Sequence, residues 1–149
     1  MTQLSEDNYP TSDFHETGKK YRRLINGDQY IDDQLSQRNA FNHEWQVFVT
    51  NQLWGRTWSR GIIAMQDFSL IQLAMLAGAG RMEEWEIHFR VALNVTRVPL
   101  VQLREIILHI QLYCGAPIAR DCMVIARKVL KELGIDQSAL EVEDGEAAA

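Results

Sequence analysis

The stretch AMQDFSLIQLAMLAGAGRMEEWEIHFRVALN, residues 64–94, decides the fold. Its first half is apolar on nearly every side of a helix, whereas its second half is apolar on one side only. Gly78 and Gly80 interrupt the chain between the two halves, and no segment alternates like a half-buried strand. The stretch therefore predicts a buried helix followed by an amphipathic one, in an all-α protein.

The same helical periodicity continues on both sides of this pair. Pro99 opens one helix and Gly115 closes it, as their backbone preferences favour. We expect one helical domain over 14–135, with a flexible tail at 1–13 and a flexible acidic tail at 136–149. The predicted helices are 14–25, 28–36, 40–54, 64–78, 81–94, 99–113 and 116–133.

Composition excludes several classes of protein. The chain has 149 residues, 46% of them hydrophobic, and a net charge of −5, which suits one core and argues against a nucleic-acid surface. Gln66, Asp67 and Gln72 interrupt the most apolar run, and the first residues lack the blocks of a secretory signal, so we expect no membrane span. Cys114 and Cys122 are too far apart for a CxxC pair, and a cytoplasmic location is indicated.

The apolar faces of two predicted helices are wide. In 64–78 and 99–113 the polar positions are too few to form a full solvated face. A chain of this length cannot cover both helices in one small bundle, so we expect other subunits to cover them. The sequence therefore predicts a homo-oligomer.

The first candidate site is a carboxylate and an imidazole one helical turn apart. Glu84 and His88 fall on the side of helix 81–94 that also carries Trp85, so both are expected to turn toward a buried face. A lone histidine there is commonly a hydrogen-bonded core residue. A Glu and His pair in a dry pocket, however, tunes proton affinity toward neutral pH, as proton transfer requires. Both readings remain open at this point.

Glu105 is the second candidate. On helix 99–113 it projects near Val101 and Leu108, toward a largely apolar stripe. It either forms a salt bridge with an arginine of a neighbouring helix or acts directly on a ligand. His109, one turn further, is assigned to the same polar network.

The motif WGRTWSRG, residues 54–61, is the third candidate. Trp54 and Trp58 lie four residues apart, with Arg56 and Arg60 beside them. Aromatic pairs at helical spacing usually pack in a core, whereas the arginines are suited to clamping an anionic substrate. No group of ligands has a known zinc spacing, so we expect no metal.

Together these stretches resemble the carboxymuconolactone decarboxylase family. The resemblance covers about 120 residues, and several motifs agree in order and spacing. They are ETGKKYRRLINGDQYID (16–32), WGRTWSRG (54–61), the apolar helix, EWEIHFRVALN (84–94) and LREIILHIQLYCGAPIARD (103–121).

The resemblance implies an all-helical fold of the alkylhydroperoxidase-D type, assembled as a ring that is a trimer or hexamer, without a cofactor. In the redox branch of that fold, a CxxC pair precedes a histidine. Matching that histidine to His88 places the two cysteines at Arg81 and Glu84, so thiol chemistry is not expected.

The resemblance also implies a reaction, the loss of CO2 from a carboxylated lactone or a related unsaturated carbonyl substrate. The substrate's carbonyl accepts the electrons, and the protein must stabilise an oxyanion and deliver a proton. His88 is the candidate donor, Glu84 orients it or acts as the acid, and Glu105 is a supporting carboxylate. The candidate substrate-binding residues are Trp54, Trp58, Arg60, Phe68, Trp85 and Tyr113.

Some positions depart from the family pattern. Phe68 stands where an arginine is usual, Gly61 where a proline is usual, and Val95 where a glycine is usual. Loss of the cation favours a flatter, less charged substrate. The alternatives to a lactone decarboxylase are therefore an isomerase or lyase acting on an aromatic or polyketide-like molecule, and a non-catalytic ligand-binding oligomer.

Overall fold

The computed structural model describes residues 13–137 and 140. All regular structure in this part of the chain is helical, so the all-α prediction is confirmed. A π-helical turn, Val49–Gly55, follows the third helix directly, and a short 3-10 helix spans Trp58–Arg60. The α-helices are α1 (Asp13–Asn26), α2 (Asp28–Ser36), α3 (His43–Phe48), α4 (Met65–Gly78), α5 (Met82–Asn94), α6 (Leu100–Cys114) and α7 (Ala116–Glu132).

Six of the predicted helices begin and end within one residue of the observed bounds, but the helix predicted at 40–54 differs. It is α3 followed by the π-helical turn. The turn lies so close to α1 that a Cβ added to Gly18 would sit 2.1 Å from the carbonyl oxygen of Thr50. A Cβ added to Gly55 would sit 2.0 Å from the carbonyl oxygen of Phe14. Two glycines therefore allow backbone contact, which hydrophobic periodicity does not report.

The chain divides into two compact units, one up to Met65 and one from Gln66 onward. In the first unit, α1 packs along the π-helical turn and also contacts α2. Its buried apolar side chains include Ile25 and Ile31. The single domain predicted over 14–135 remains a prediction, and the predicted tails lie outside the described residues apart from a few positions.

The second unit is built from α4 to α7 around one hydrophobic core. Both α5 and α6 pack against α7. Three buried residues of α5, Trp85, Phe89 and Ala92, recur at helical spacing and face this core, which explains the amphipathic pattern of the sequence. Burial of a large apolar side chain such as Phe89 stabilises the fold by roughly 1.5–3 kcal/mol.

Within the single chain, helix α4 is buried on one side only, and the expectation that other subunits cover its remaining apolar side stays a prediction. Leu73 and Ala77 are fully buried, but Ile71 is 44% exposed and Met75 is 68% exposed. A second apolar surface lies on α6, where Leu112 is 78% exposed. The other helices of the unit leave one side of α4 uncovered, since the unit contains too few elements to enclose it.

No helix in the described part of the chain combines the length and apolarity needed to cross a membrane.

Candidate active site

Helix α5 carries the first candidate pair at the edge of its buried face. Trp85 is fully buried, His88 is half-buried and Glu84 is exposed. The buried row of α5 runs through Trp85 and Phe89, and the row of Glu84 and His88 lies next to it around the helix. The expectation that Glu84 faces the interior is therefore wrong for the single chain, whereas His88 lies at the boundary between core and solvent.

A glutamine of α4 contacts the imidazole of His88. Nε2 of Gln72 lies 3.1 Å from Nε2 of His88. With the Gln72 amide in this orientation, its nitrogen donates to His88 Nε2, and this assignment places the ring proton on Nδ1. Nδ1 of His88 and Oε1 of Gln72 are both buried and have no hydrogen-bond partner among the described residues.

Gln72 was not predicted to have a functional role, because in the sequence it is only a polar interruption of an apolar helix. The sequence contained one signal for a role of this residue, which is a glutamine between Ile71 and Leu73 in a helix that contributes to the core. The contact between Gln72 and His88 could not be predicted from the sequence, because local periodicity does not specify how helices α4 and α5 pack.

Burial determines the charge state of His88. Burial lowers the pKa of His88, and the negative charge of Glu84 raises it by a smaller amount. The net pKa lies below the usual histidine value, so the imidazole is neutral at pH 7. A neutral ring agrees with the hydrogen bond that His88 accepts from Gln72.

The ring of Trp85 supports this part of α5 from the inside. It stacks on Phe89 with ring centroids 5.0 Å apart and an interplanar angle of 13°. The ring is fully buried. Trp85 therefore fixes the helix that carries His88 by packing within the core.

Phe68 lies near the start of α4 and is half-buried. It precedes Gln72 by four residues, so both side chains are on the same side of α4. The departure at position 68 thus lies on the helix face that meets His88.

Glu105 and Tyr113 lie along a different surface, formed by α4 and α6. One groove of about 300 Å³ includes Leu70 and Glu105, and a neighbouring groove of about 320 Å³ includes Ala74 and Tyr113. His109 and Ile106 line both grooves. The aromatic rings of His109 and Tyr113 are 5.2 Å apart between centroids.

The ion pair of Glu105 differs from the one expected. Its carboxylate pairs with Arg104, the preceding residue of the same helix, at 3.1 Å, instead of an arginine from a neighbouring helix. Both side chains are solvent-accessible, so this pair contributes little to stability.

The two candidate regions of the second unit lie on different sides of α4. Leu70 and Ala74 line the grooves beside α6, whereas Gln72 contacts His88. Gln72 is two residues from each, which places it about 160–200° around the helix. One chain therefore brings together Gln72 and His88, with Phe68 one turn away on the same side of α4, and keeps Glu105 and Tyr113 in a second region.

In the first unit, the two tryptophans of WGRTWSRG pack against each other. Trp54 and Trp58 are 5% and 4% exposed, with ring centroids 5.5 Å apart. The Arg56 guanidinium lies over the ring of Phe14, 4.6 Å from its centroid. Arg60 is exposed at the end of the 3-10 helix. The two tryptophans therefore pack against each other in the interior of the first unit. The guanidinium of Arg60 is accessible to solvent.

The two cysteines are free thiols. Cys122 lies in the core, and burial raises its pKa to about 11, so it stays protonated and a poor nucleophile at pH 7. Cys114 is half-buried and lines the groove beside Tyr113.

Comparison with known proteins places this arrangement in a family. A sequence profile described as the carboxymuconolactone decarboxylase family matches residues 44–128, a range that contains Gln72, Glu84, His88 and Glu105. The 4-carboxymuconolactone decarboxylase of Acinetobacter baylyi is 34% identical over 121 residues, covering 81% of this chain and 90% of the relative. The nitrosuccinic acid decarboxylase npaB of Metarhizium robertsii is 28% identical over 116 residues, covering 78% and 80%. The chain belongs to the carboxymuconolactone decarboxylase family.

Proposed function

We propose that the protein is a decarboxylase that removes CO2 from a small carboxylated substrate, with His88 as the proton donor. Its family and two relatives named as decarboxylases support a carboxy-lyase. The observation that carries the assignment of the site is the half-buried imidazole of His88, one turn from the carboxylate of Glu84. A titratable group held at the boundary between core and solvent is suited to proton transfer.

The substrates named for the two relatives have a common chemistry. A lactone carbonyl conjugated to the site of CO2 loss accepts an electron pair as an enolate, and a nitro group accepts one as a nitronate. In each case the C–C bond to the carboxylate breaks, CO2 departs, and the electron pair moves into the substrate's own acceptor group. The protein then supplies a proton to carbon, and solvent returns one to His88. Such a reaction can proceed without a cofactor, and we propose that it does so here.

Substrate charge provides a reason for His88 to become protonated when it is needed. The pKa of His88 in the free chain is lowered by burial. A bound carboxylate near the ring raises that pKa, because an opposite charge stabilises the imidazolium. Glu84 acts in the same direction. Binding of an anionic substrate therefore converts a neutral imidazole into an acid.

We propose that the substrate side of the site includes the aromatic ring of Phe68, with Trp85 supporting the helix beneath it. Phe68 shares the face of Gln72 on α4, which favours a flat substrate portion with little charge. The substrate-binding roles of Trp54, Trp58 and Arg60 in the first unit stay proposals of their own, and Arg60 is the one of the three with an exposed side chain. Localisation in the cytoplasm remains part of the proposal.

We propose further that the chains assemble as a homo-oligomer, a trimer or hexamer. Support comes from exposed apolar side chains of α6, including Leu112 and Tyr113 at 78% and 79% exposure. Such a surface is costly to leave in water. Glu105 and Tyr113 lie on the other side of α4 from His88, so their proposed roles at the same substrate require a neighbouring subunit to supply them.

The test uses purified protein with 4-carboxymuconolactone and nitrosuccinate in separate reactions in D2O. We expect CO2 release from at least one substrate, with one deuterium incorporated into the product at carbon. The variant Glu84→Gln tests whether Glu84 takes part in this reaction. Its matched control is Glu83→Gln, which changes an exposed carboxylate on the same helix. A product of unchanged mass would indicate an isomerase, and binding without conversion would indicate a ligand-binding oligomer.

A further inference from the structure

The contact between α4 and α5 suggests a role for a residue outside the proposed catalytic pair. Gln72 is the one side chain that the structure gives as a hydrogen-bond partner of His88 within the described residues, at 3.1 Å between the two Nε2 atoms. On one side of this bond the Oε1 of Gln72 has no partner, and on the other side the Nδ1 of His88 has none. Buried polar atoms without partners are rare and call for an explanation.

We propose that Gln72 is a positioning residue that holds Nε2 of His88 and directs Nδ1–H toward the substrate. This inference rests on the proposed function of His88 as the proton donor. In the resting state, the Gln72 amide donates to Nε2, and the ring carries its proton on Nδ1. The unpartnered Nδ1–H is the one donor of the ring that remains for a ligand.

An amide is suited to this position because it contains a donor and an acceptor. When substrate binding protonates His88, Nε2 becomes a donor, and rotation of the Gln72 amide by half a turn brings Oε1 to it as acceptor. A carboxylate at position 72 would accept only, and an apolar side chain would do neither. Gln72 is therefore compatible with both charge states of His88 and leaves the substrate to select between them.

The proton balance of the step is closed. The imidazolium donates its Nδ1 proton to the carbon that has lost CO2. The ring is then neutral with its proton on Nε2, which donates to Oε1 of Gln72. Solvent supplies a proton to Nδ1, and after product release the ring loses its Nε2 proton and the amide returns to the donating orientation. No oxidant, reductant or co-reactant is required.

The charged groups near His88 act on the ring at a distance or lie on another side of α5, whereas Gln72 forms a hydrogen bond with the ring. From its own helix, the group that affects the ring electrostatically is Glu84. The ion pairs that join α5 to α7 involve Glu86 and Arg90, which lie about 160° around α5 from His88. From α4, Gln72 meets the ring with an uncharged side chain.

The first measurement is the tautomer of His88 by 15N–1H NMR of the labelled protein without substrate. We expect the neutral ring of the wild-type protein to carry its proton on Nδ1, although imidazole side chains in water favour Nε2. In Gln72→Leu the proton should return to Nε2. A wild-type protein with the proton on Nε2 would overturn the proposal, and this result does not depend on whether Gln72→Leu folds.

The second measurement is the titration midpoint of His88 in Gln72→Glu, which keeps the size of the side chain. A carboxylate next to the ring should raise the midpoint by roughly 1–3 pH units. Gln66→Glu is the matched control, because it adds the same charge to the exposed part of α4 and should shift the midpoint much less. Equal shifts in the two variants would contradict direct contact between Gln72 and His88.

The third measurement is the pH profile of kcat. In Gln72→Leu we expect kcat to fall roughly tenfold, the equivalent of one lost hydrogen bond, with KM changed little. Because the NMR measurements need no substrate, they separate failure of this inference from failure of the proposed function. Lack of CO2 release would reject the proposed function, whereas normal turnover with an unchanged tautomer in Gln72→Leu would reject the role of Gln72.

Discussion

Helices α5 and α6 each carry a glutamate followed four residues later by a histidine, but in different surroundings. Glu84 and His88 lie beside the buried row of α5, and His88 is half-buried against Gln72. Glu105 and His109 are both exposed and line open grooves. The same spacing thus gives one imidazole whose pKa is lowered by burial and one that faces solvent. Spacing alone therefore does not define a proton-transfer site, because the two histidines have the same spacing but differ in how far they are removed from solvent.

The largest expected effect separates the two histidines. His88→Ala should lower kcat roughly 100-fold to 10,000-fold, as expected for removal of a positioned proton donor. His109→Ala, the matched change on α6, should lower kcat much less. Turnover and far-ultraviolet circular dichroism are measured on the same preparations. A His88→Ala protein that is folded and fully active would return His88 to a structural role.

The exposed surface of α6 provides the next test. Leu112→Glu places a charge on a side chain that is 78% exposed in the single chain. If other subunits cover it, the substitution should weaken association more than tenfold, because burying an unpaired charge is costly. Analytical ultracentrifugation measures the effect, with Gln111→Glu as the neighbouring control. A wild-type protein that is monomeric at micromolar concentration would remove the oligomer from the proposal.

The two glutamates should differ by a smaller amount. Glu84→Gln removes a charge that raises the pKa of His88, so the titration midpoint of His88 should move down by a few tenths of a pH unit, as for an exposed charge pair. Glu105→Gln should leave that midpoint unchanged. NMR titration of both variants measures this. Equal effects would indicate that the two glutamates act on His88 together.

The pH dependence of stability gives a further, smaller effect. Because the pKa of His88 is lower in the folded protein than in the unfolded one, the folded state binds fewer protons between the two values. The contribution of His88 to stability is therefore present above the unfolded pKa of about 6.5 and decreases as the pH falls through the folded value. The urea midpoint of the wild-type protein relative to His88→Gln should fall on acidification. A relative rise would mean that the folded state prefers the imidazolium.

The smallest expected effect concerns the thiols. Cys114→Ser and Cys122→Ala should retain turnover per folded molecule, because neither thiol belongs to the proposed proton-transfer site. Cys122→Ala should reduce stability, since Cys122 is fully buried, with a cost of roughly 1 kcal/mol for the lost sulfur. Turnover and urea unfolding distinguish the two effects. Peroxidase activity that either substitution abolishes would indicate thiol chemistry.

Much of the fold was predictable because it depends on local pattern. The apolar period of 81–94 predicted a helix with a buried face that includes Trp85, and Gly115 predicted the break between α6 and α7, where its φ is 90°. The π-helical turn at Val49–Gly55 was not predictable in this way. It depends on contact with α1 through Gly18 and Gly55, which are far apart in sequence.

The helices, the family resemblance and the candidate pair of Glu84 and His88 could be read from residue types and spacings along one chain. The packing of the helices determines that His88, and not His109, is partly removed from solvent. It also determines that Gln72 of α4 contacts His88 of α5 at 3.1 Å. Burial and hydrogen bonding between helices depend on how separate elements pack, and hydrophobic period specifies which face a helix buries but not which side chain it meets there.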